Sequence, residues 1–268
     1  YRMIASGIGD LYSKPVSNAD WRLSHRLLGT PHSSIVMQIV EEGSKVLEGV
    51  APRLPSRDVE AVQRLTASLM LSGLAMQAAG TSGPASGGEH LISHFIDMTS
   101  VAYGESHDFH GCQVAVGTVG TSRLYEWVAR MNPADIDVDA LVARHLPWDD
   151  YAAVLAQRFG VLTPAVVEHA RKAYPTAEQL RDRLTLLVAS WDSVMADVKT
   201  TLRPADELEA ELRSANCPTR FDEIGVAPDR AWRAVVHSKD IRARYTILHL
   251  AAELGQLERF TDGWLGGR

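Results

Sequence analysis

The spacing of apolar residues predicts helices along almost the whole chain. Within residues 57–79, Val59, Val62 and Leu65 recur at the interval that keeps side chains on one face of a helix. The same pattern predicts further helices over residues 86–103, 114–127, 178–202 and 241–257. No alternating run of apolar and polar residues is long enough to predict a strand. The pattern therefore predicts an all-α, bundle-like fold.

Glycine, proline and threonine residues predict where some of these helices begin and end. Gly80 follows the first predicted helix and is typical of a helix end. Thr163 directly before Pro164 is typical of a helix start. Pro15 biases the preceding residue, Lys14, away from helical backbone angles, so we expect a helix to be disturbed there.

The composition is that of an ordinary globular protein of 268 residues, 46% of them hydrophobic and 22% charged. The formal net charge of −6, without a long basic run, argues against nucleic acid or an anionic membrane surface as a partner. The apolar stretches are shorter than the roughly 20 residues of a membrane-spanning helix, and no signal peptide is recognised. Cys112 and Cys217 give no disulfide framework, so we expect a reducing compartment, the cytoplasm.

The strongest chemical signal is a group of histidines that follows a turn of small residues. Residues 83–94 read GPASGGEHLISH, which places His90 and His94 four positions apart on one helix face. His110 opens the next apolar segment, and Asp10 ends the run GIGD. One carboxylate and two imidazoles suit Zn²⁺, and also Fe²⁺ or Ni²⁺, and three protein ligands are typical of a catalytic metal site. On spacing alone, ordinary surface or core histidines remain the alternative.

Two further groups of polar residues have both a functional and an ordinary interpretation. Asp20, Arg22 and His25 either line the same cleft or form the polar face of an amphipathic helix. Arg242 and Arg244 either hold a substrate phosphate, which guanidinium groups suit, or form a solvated basic face. No βαβ unit with a glycine-rich phosphate turn is visible, so we expect any nucleotide-binding domain to lie outside these residues.

Five separated blocks of the chain resemble the glycerol-1-phosphate dehydrogenase family in the right order. This family is grouped with the iron-dependent alcohol dehydrogenases, glycerol dehydrogenases and dehydroquinate synthases. The resemblance extends from Met3 to about Glu258. The blocks are ASGIGDL at 5–11 with Lys14 and ADWRLSH at 19–25, SGPASGGEH at 82–90 with the following SH, HGCQVAVGT at 110–118, CPT and EIG at 217–225, and IRARYTIL at 241–248.

Matched residue by residue, the resemblance implies that Asp10, His90 and His110 bind a divalent metal, with zinc expected and nickel or iron as alternatives. It implies catalytic roles for His94, which lies close to the metal and relays a proton, and for Lys14. The iron-dependent alcohol dehydrogenases have a histidine ligand where this chain has Lys14, and dehydroquinate synthases have a glutamate where it has Asp10.

The resemblance also implies an architecture and a reaction. The family has a nucleotide-binding α/β domain followed by an all-helical metal domain, and this chain matches the helical part as one domain over 1–268, with a short extension after residue 258. The implied reaction is the reduction of dihydroxyacetone phosphate to sn-glycerol 1-phosphate by NADH or NADPH, with Arg242 and Arg244 as candidates for holding the phosphate. We expect a homo-oligomer or association with a nucleotide-binding domain.

The sequence is compatible with two other functions. A sugar phosphate cyclase of the dehydroquinate synthase type uses the same metal and NAD, although Asp10 and the block around His90 argue against it. The other alternative is that the chain is a metal-binding helical subunit without catalytic activity of its own. The chain starts at Tyr1 and not at a methionine, so both a fragment and a stand-alone subunit are compatible with the sequence.

Overall fold

A computed structural model of the chain describes residues 1–266, and the regular secondary structure of these residues is entirely helical, which confirms the predicted all-α fold. Short loops and single 3₁₀ turns connect the α-helices. The α-helices of this range are α1 (Arg2–Leu11), α2 (Lys14–Leu28), α3 (Ser34–Val46), α4 (Val59–Ala79), α5 (Gly88–Tyr103), α6 (His110–Ala129), α7 (Val138–Ala143), α8 (Trp148–Phe159), α9 (Thr163–Ala173), α10 (Ala177–Lys199), α11 (Ala205–Ser214), α12 (Pro228–His237), α13 (Ile247–Glu253) and α14 (Leu257–Trp264).

Four of the five predicted helices are confirmed, with ends that differ by a few residues. Helices α4, α5, α6 and α10 correspond to the predictions that begin at residues 57, 86, 114 and 178. Helix α9 begins at Thr163, as the Thr-Pro signal predicts. The difference that matters most is the start of α6, because it lies at His110 and places this histidine in the first helical turn.

The predicted helix over residues 241–257 is wrong in its first part and in its continuity. The chain runs irregularly before α13, and a further break separates α13 from α14. Tertiary contacts fix the true start, because Asp20 Oδ1 accepts the Ile247 N–H at 2.7 Å. The Thr246 N–H donates to His249 Nδ1 at 3.2 Å, which caps the same helix.

Pro15 opens a helix and does not disturb one, contrary to the expectation from the sequence. Helix α1 ends at Leu11 and α2 begins at Lys14, so Pro15 lies in the first turn of α2. A missing N–H costs little there, because first-turn N–H groups have no partner within the helix. The short junction between the two helices leaves Lys14 Nζ 3.2 Å from Asp10 Oδ2.

Glycines allow α1 and α6 to cross with their backbones in direct contact. A Cβ atom at Gly111 would overlap with the carbonyl oxygen of Ser6, and a Cβ atom at Gly9 would overlap with the carbonyl oxygen of Gly111. Only glycine fits either position without moving a backbone. Because Asp10 follows one glycine and His110 precedes the other, the crossing brings these two side chains together.

Helix α6 separates two apolar cores. The larger core packs α2, α5 and α6 against α8, α9, α10 and the C-terminal helices, whereas the smaller one lies beneath α1, α4 and α11. Helix α6 contributes Val116 to the larger core and Val119 to the smaller one. The first turn of α6 therefore lies where α1 and α5 converge from the two sides.

The segment after residue 258 continues as α14, and the ring of Trp264 lies against Gly120 of α6. The last two residues of the predicted domain, 267 and 268, lie outside the described residues. Among the described residues, no helix combines the length and the apolar character that crossing a membrane requires.

Candidate metal centre

Three predicted ligands from three helices meet at the crossing of α1, α5 and α6. Asp10 lies near the end of α1, His90 in the first turn of α5 and His110 at the start of α6. Asp10 Oδ1 is 3.1 Å from His90 Nε2, and the centroids of the two imidazole rings are 5.2 Å apart. One potential ligand atom from each of the three residues lies within 4.8 Å of the other two. This separation suits three ligands that share one metal ion.

A buried carboxylate orients His90. Glu89 is fully buried, and its Oε1 lies 2.7 Å from His90 Nδ1 and accepts the Gly87 N–H at 2.8 Å. When Nδ1 donates to a carboxylate, Nε2 of the same ring keeps its lone pair for a metal. The Glu89–His90 contact is therefore the arrangement that supports a metal-bound imidazole, and it faces Nε2 toward Asp10.

A polar network holds the second histidine. Ser93 Oγ lies 3.1 Å from His110 Nδ1, and Asp97 Oδ2 lies 3.8 Å from the same nitrogen. Gln113 Nε2 donates to Ser93 Oγ at 3.0 Å and to Asp97 Oδ1 at 2.8 Å. Both candidate imidazole ligands thus have their Nδ1 atoms engaged by protein groups, which fixes the ring orientations.

The charges around Asp10 favour its ionised form. Burial alone would raise the pKa of this carboxyl group, but the Lys14 ammonium and the hydrogen bond with His90 outweigh burial and hold the pKa well below its usual value. Lys14 is itself buried, and its Nζ also donates to the Ala85 carbonyl at 3.2 Å. A carboxylate that stays charged is the form that binds a divalent cation.

His94 lies beside the three candidate ligands and remains neutral. Its ring centroid is 5.3 Å from that of His110 and 6.2 Å from that of His90. Burial lowers the pKa of His94, the electrostatic contributions of His90, His110 and Arg242 act in the same direction, and together they bring it to about 4. A neutral imidazole at this position is able to accept a proton from a bound hydroxyl group.

A second group of possible ligands overlaps with the first. One potential ligand atom each from His94, Asp97 and His110 also lies within 4.8 Å of the others. Because His110 belongs to both groups, Asp97 is the alternative carboxylate to Asp10. No sequence motif marks Asp97, although its position three residues after His94 places it on the same face of α5.

The donor set fits a divalent transition metal. Asp10, His90 and His110 provide one carboxylate oxygen and two imidazole nitrogens, and zinc sites with three protein ligands use this combination. The same donors suit iron and nickel. The partners of Nδ1 in both rings add the outer support that such sites require.

The two predicted phosphate-binding arginines lie near this centre, and only one of them is hydrogen-bonded to the part of the protein that the structure describes. Arg244 donates to the Ser86 carbonyl and, at 2.7 Å, to Ser82 Oγ, so it holds the loop that precedes α5. Arg242 is exposed, and its charge lies close enough to His94 to lower the pKa of that residue. Among the described residues, no hydrogen bond or ion pair engages the Arg242 guanidinium group.

The three polar residues of α2 do not act together as a cleft wall. Asp20 is buried, and its carboxylate accepts hydrogen bonds from Tyr125 Oη at 2.6 Å and from the Gly88 N–H at 2.7 Å. Burial, with the charge of the nearby Glu89 carboxylate, raises the pKa of Asp20 to about 7. Asp20 thus holds the start of α5 through the Gly88 N–H.

The other two residues of this set point to other partners. Arg22 donates to Asp197 Oδ1 at 2.8 Å, which ties α2 to α10. His25 Nδ1 lies 2.7 Å from the Thr30 carbonyl oxygen, in the loop that follows α2. These two side chains agree with the interpretation of a polar helix face.

Several residues that support the site are absent from the sequence prediction. Glu89, Ser93, Asp97 and Gln113 all contact a candidate ligand or its partner. Each lies within four residues of a histidine that the sequence does single out. Polar residues next to a candidate histidine in sequence, or on the same helix face as one, are therefore the signal that identifies residues supporting the candidate ligands.

Comparisons with known proteins identify relatives of this chain, although no protein-family model matches it. It is similar to glycerol-1-phosphate dehydrogenase of Bacillus subtilis strain 168, with 30% identity over 251 residues, 94% of this chain and 51% of that protein. It is 31% identical to the enzyme of the same name from Korarchaeum cryptofilum over 185 residues, 69% of this chain and 54% of that protein. Both names include NAD(P)+. The chain spans about half the length of the curated relatives it matches.

Proposed function

Because the chain belongs to the glycerol-1-phosphate dehydrogenase family, we propose that it is the metal-binding part of an enzyme that interconverts dihydroxyacetone phosphate and sn-glycerol 1-phosphate. The observation that supports this proposal most is the convergence of Asp10, His90 and His110 within 4.8 Å of one another. In this proposal the three residues hold one divalent ion, with zinc as the expected metal. The nucleotide cofactor is NAD or NADP.

The metal contributes Lewis-acid polarisation of the substrate carbonyl group when it is bound. The residues of the chain perform the remaining tasks. In the oxidation direction, the neutral imidazole of His94 accepts the proton of the substrate hydroxyl group, and in the reduction direction it returns this proton. Lys14 keeps Asp10 ionised and in position through its contact of 3.2 Å.

The substrate phosphate requires positive charge beside the metal. Arg242 is exposed near His94 and available for a charge-assisted hydrogen bond, because no described residue neutralises it. Arg244 contributes by holding the loop at Ser86, and the exposed part of its guanidinium group adds to the local charge. In this arrangement Arg242 contacts the phosphate and Arg244 shapes the loop next to it.

The hydride transfer needs a nicotinamide cofactor, and we propose that a nucleotide-binding domain outside these residues provides its site. This chain and the nucleotide-binding domain would lie in the cytoplasm. They would be parts of one protein or subunits that associate, and the protein would form a homo-oligomer in the first case. The relatives that this chain matches are about twice as long as the matched region, which is consistent with such a second part.

The test is an assay of the natural gene product, whatever its length. With zinc, NADH or NADPH and dihydroxyacetone phosphate, we expect oxidation of the nicotinamide and formation of sn-glycerol 1-phosphate, both abolished by a strong chelator. Formation of the other enantiomer would contradict the proposal. Dehydroquinate synthesis from its sugar phosphate precursor would favour the cyclase function, and metal binding without any turnover would favour a non-catalytic subunit.

A further inference from the structure

A cavity lies away from the metal centre, between the helices that precede and follow α10. Its volume is about 450 Å³, within the range that small-molecule sites occupy. Helices α8 and α9 form one side, and α13 and α14 form the other. None of the predicted site residues lines it, namely Asp10, Lys14, His90, His94, His110, Arg242 and Arg244.

Three arginines line this cavity without a partner for their charge. Arg144 follows α7, Arg158 lies near the end of α8, and Arg259 lies on α14. Within residues 1–266, no hydrogen bond or ion pair engages any of the three guanidinium groups. They give the cavity an unneutralised positive rim.

The acidic residues of the same cavity do not cancel this charge. The Asp240 carboxylate is already paired with Lys239 Nζ, which lies 2.7 Å from its Oδ1. Glu253 is paired with Arg183 and accepts a hydrogen bond from Tyr245. Of the lining carboxylates, only that of Glu258 has no partner among the described residues. The lining of the cavity therefore includes three unpaired guanidinium groups and one unpaired carboxylate among the described residues.

Aromatic side chains in the cavity wall contact one another. The ring of Tyr174 stacks between His145 at 4.6 Å and Tyr151 at 4.2 Å. Tyr174 Oη donates to the Leu146 carbonyl at 2.8 Å, and Lys239 Nζ contacts Tyr151 Oη. Because these side chains contact one another, the cavity is already formed in the absence of a ligand.

We propose that this cavity binds a small phosphorylated molecule through Arg144, Arg158 and Arg259. A guanidinium group matches the oxygens of a phosphoryl group with two parallel N–H donors and is always charged. The apolar walls and the volume accommodate a short carbon skeleton beside the phosphoryl group. The site goes beyond the proposed function, because it uses neither the metal ligands nor Arg242 and Arg244.

Calorimetric titration with inorganic phosphate tests the proposal directly. We expect Arg158→Gln and Arg259→Gln each to weaken phosphate binding about ten- to a hundredfold, which corresponds to one lost charge-assisted hydrogen bond. Arg158→Lys keeps the charge but loses the second donor, so it should bind with an intermediate affinity. Lys199→Gln is the matched control, because it removes an exposed charge from the end of α10, outside the cavity.

The double variant Arg242→Gln/Arg244→Gln separates this site from the metal centre and should leave phosphate binding at the cavity unchanged. Circular dichroism of each variant confirms that it is folded before titration. Wild-type affinity in both cavity variants would overturn the proposal, as would a loss of binding confined to the Arg242/Arg244 double variant. Binding of malonate as tightly as phosphate would overturn the assignment to phosphoryl groups.

Discussion

Glu89 Oε1 lies 2.7 Å from Nδ1 of the adjacent His90, and the other nitrogen of that ring lies 3.1 Å from Asp10 Oδ1. The two neighbours in sequence thus act as one unit, in which a buried carboxylate orients the imidazole that faces the candidate metal. Glu89 contributes no atom to the proposed ligand set. Its effect on the metal is exerted through His90.

Glu89→Gln should therefore weaken metal binding about ten- to a hundredfold, since outer partners of ligating histidines have effects of this size. The amide keeps an oxygen that accepts the Gly87 N–H but removes the negative charge beside His90. Competition with a chelator of known affinity measures the change. Equal metal affinities in the wild type and the variant, both folded by circular dichroism, would show that Glu89 does not support the metal.

Gly111→Ala should destabilise the protein by about 1–3 kcal/mol or more, because its Cβ atom would overlap with the Ser6 carbonyl oxygen at the α1–α6 crossing. Gly73→Ala is the matched control, since a Cβ at this helical position meets no atom within 4 Å. The control should be neutral or more stable by up to about 1 kcal/mol. Urea denaturation of the metal-free proteins measures both free energies of unfolding, and comparable values for the two variants would argue against the close crossing.

The buried His237 should make the protein less stable in mild acid. Burial, assisted by the charge of Arg158, lowers the pKa of His237 to about 4 in the folded protein, whereas the pKa of an unfolded histidine is about 6.5. The contribution of the neutral, buried His237 to the free energy of unfolding is thus fully present above about pH 6.5 and is lost as the pH falls toward 4. The slope attributable to this group reaches about 1.4 kcal/mol per pH unit.

His237→Gln removes this titration, so its free energy of unfolding should fall less steeply between pH 6.5 and 4 than that of the wild type. The exposed His107 provides the control variant, His107→Gln. Urea denaturation at several pH values gives the slopes. A slope unchanged in His237→Gln would mean that this histidine is protonated alike in the folded and unfolded protein.

In the proposed function, the exposed Arg242 near His94 should make binding depend on whether the substrate carries a phosphate group. Arg242→Gln should weaken dihydroxyacetone phosphate about ten- to a hundredfold and leave dihydroxyacetone nearly unaffected, because only the first carries the anion. Lys14→Ala should affect both ligands, since Lys14 acts on Asp10, and Arg244→Ala should have an intermediate effect through the loop at Ser86. Binding of both ligands to the natural gene product is measured. Equal effects of Arg242→Gln on both would remove this residue from the phosphate site.

The helical fold and the ligand candidates are predictable from local patterns in the chain. Helix α4 follows from its apolar periodicity, and the spacing of His90 and His94 indicates a common face of α5. The run GIGD and the start of the next apolar segment mark Asp10 and His110 as further candidates, and the resemblance to a known family implies that these two residues, far apart in sequence, bind the metal with His90. What joins them in space is the pair of glycines at the α1–α6 crossing, whose partners no local pattern reveals.

Features that depend on distant contacts are the ones that sequence patterns do not predict. The break before α13 is imposed by Asp20, which accepts the Ile247 N–H from a position on α2. Likewise, Lys14 acquires its contact with Asp10 only because α2 begins directly after the turn that ends α1. The positive cavity beside α10 is assembled from residues of several helices, and no motif marks it.

The identity of the metal ligands is tested most directly by metal content after equilibration with excess zinc and desalting. We predict one zinc ion per chain in the wild type, and its loss in Asp10→Asn, His90→Ala and His110→Ala. Asp97→Asn tests the rival assignment, because Asp97 belongs to the overlapping group of possible ligands. It should retain zinc. Retention in Asp10→Asn with loss in Asp97→Asn, or full occupancy in both histidine variants, would contradict the assignment of Asp10, His90 and His110.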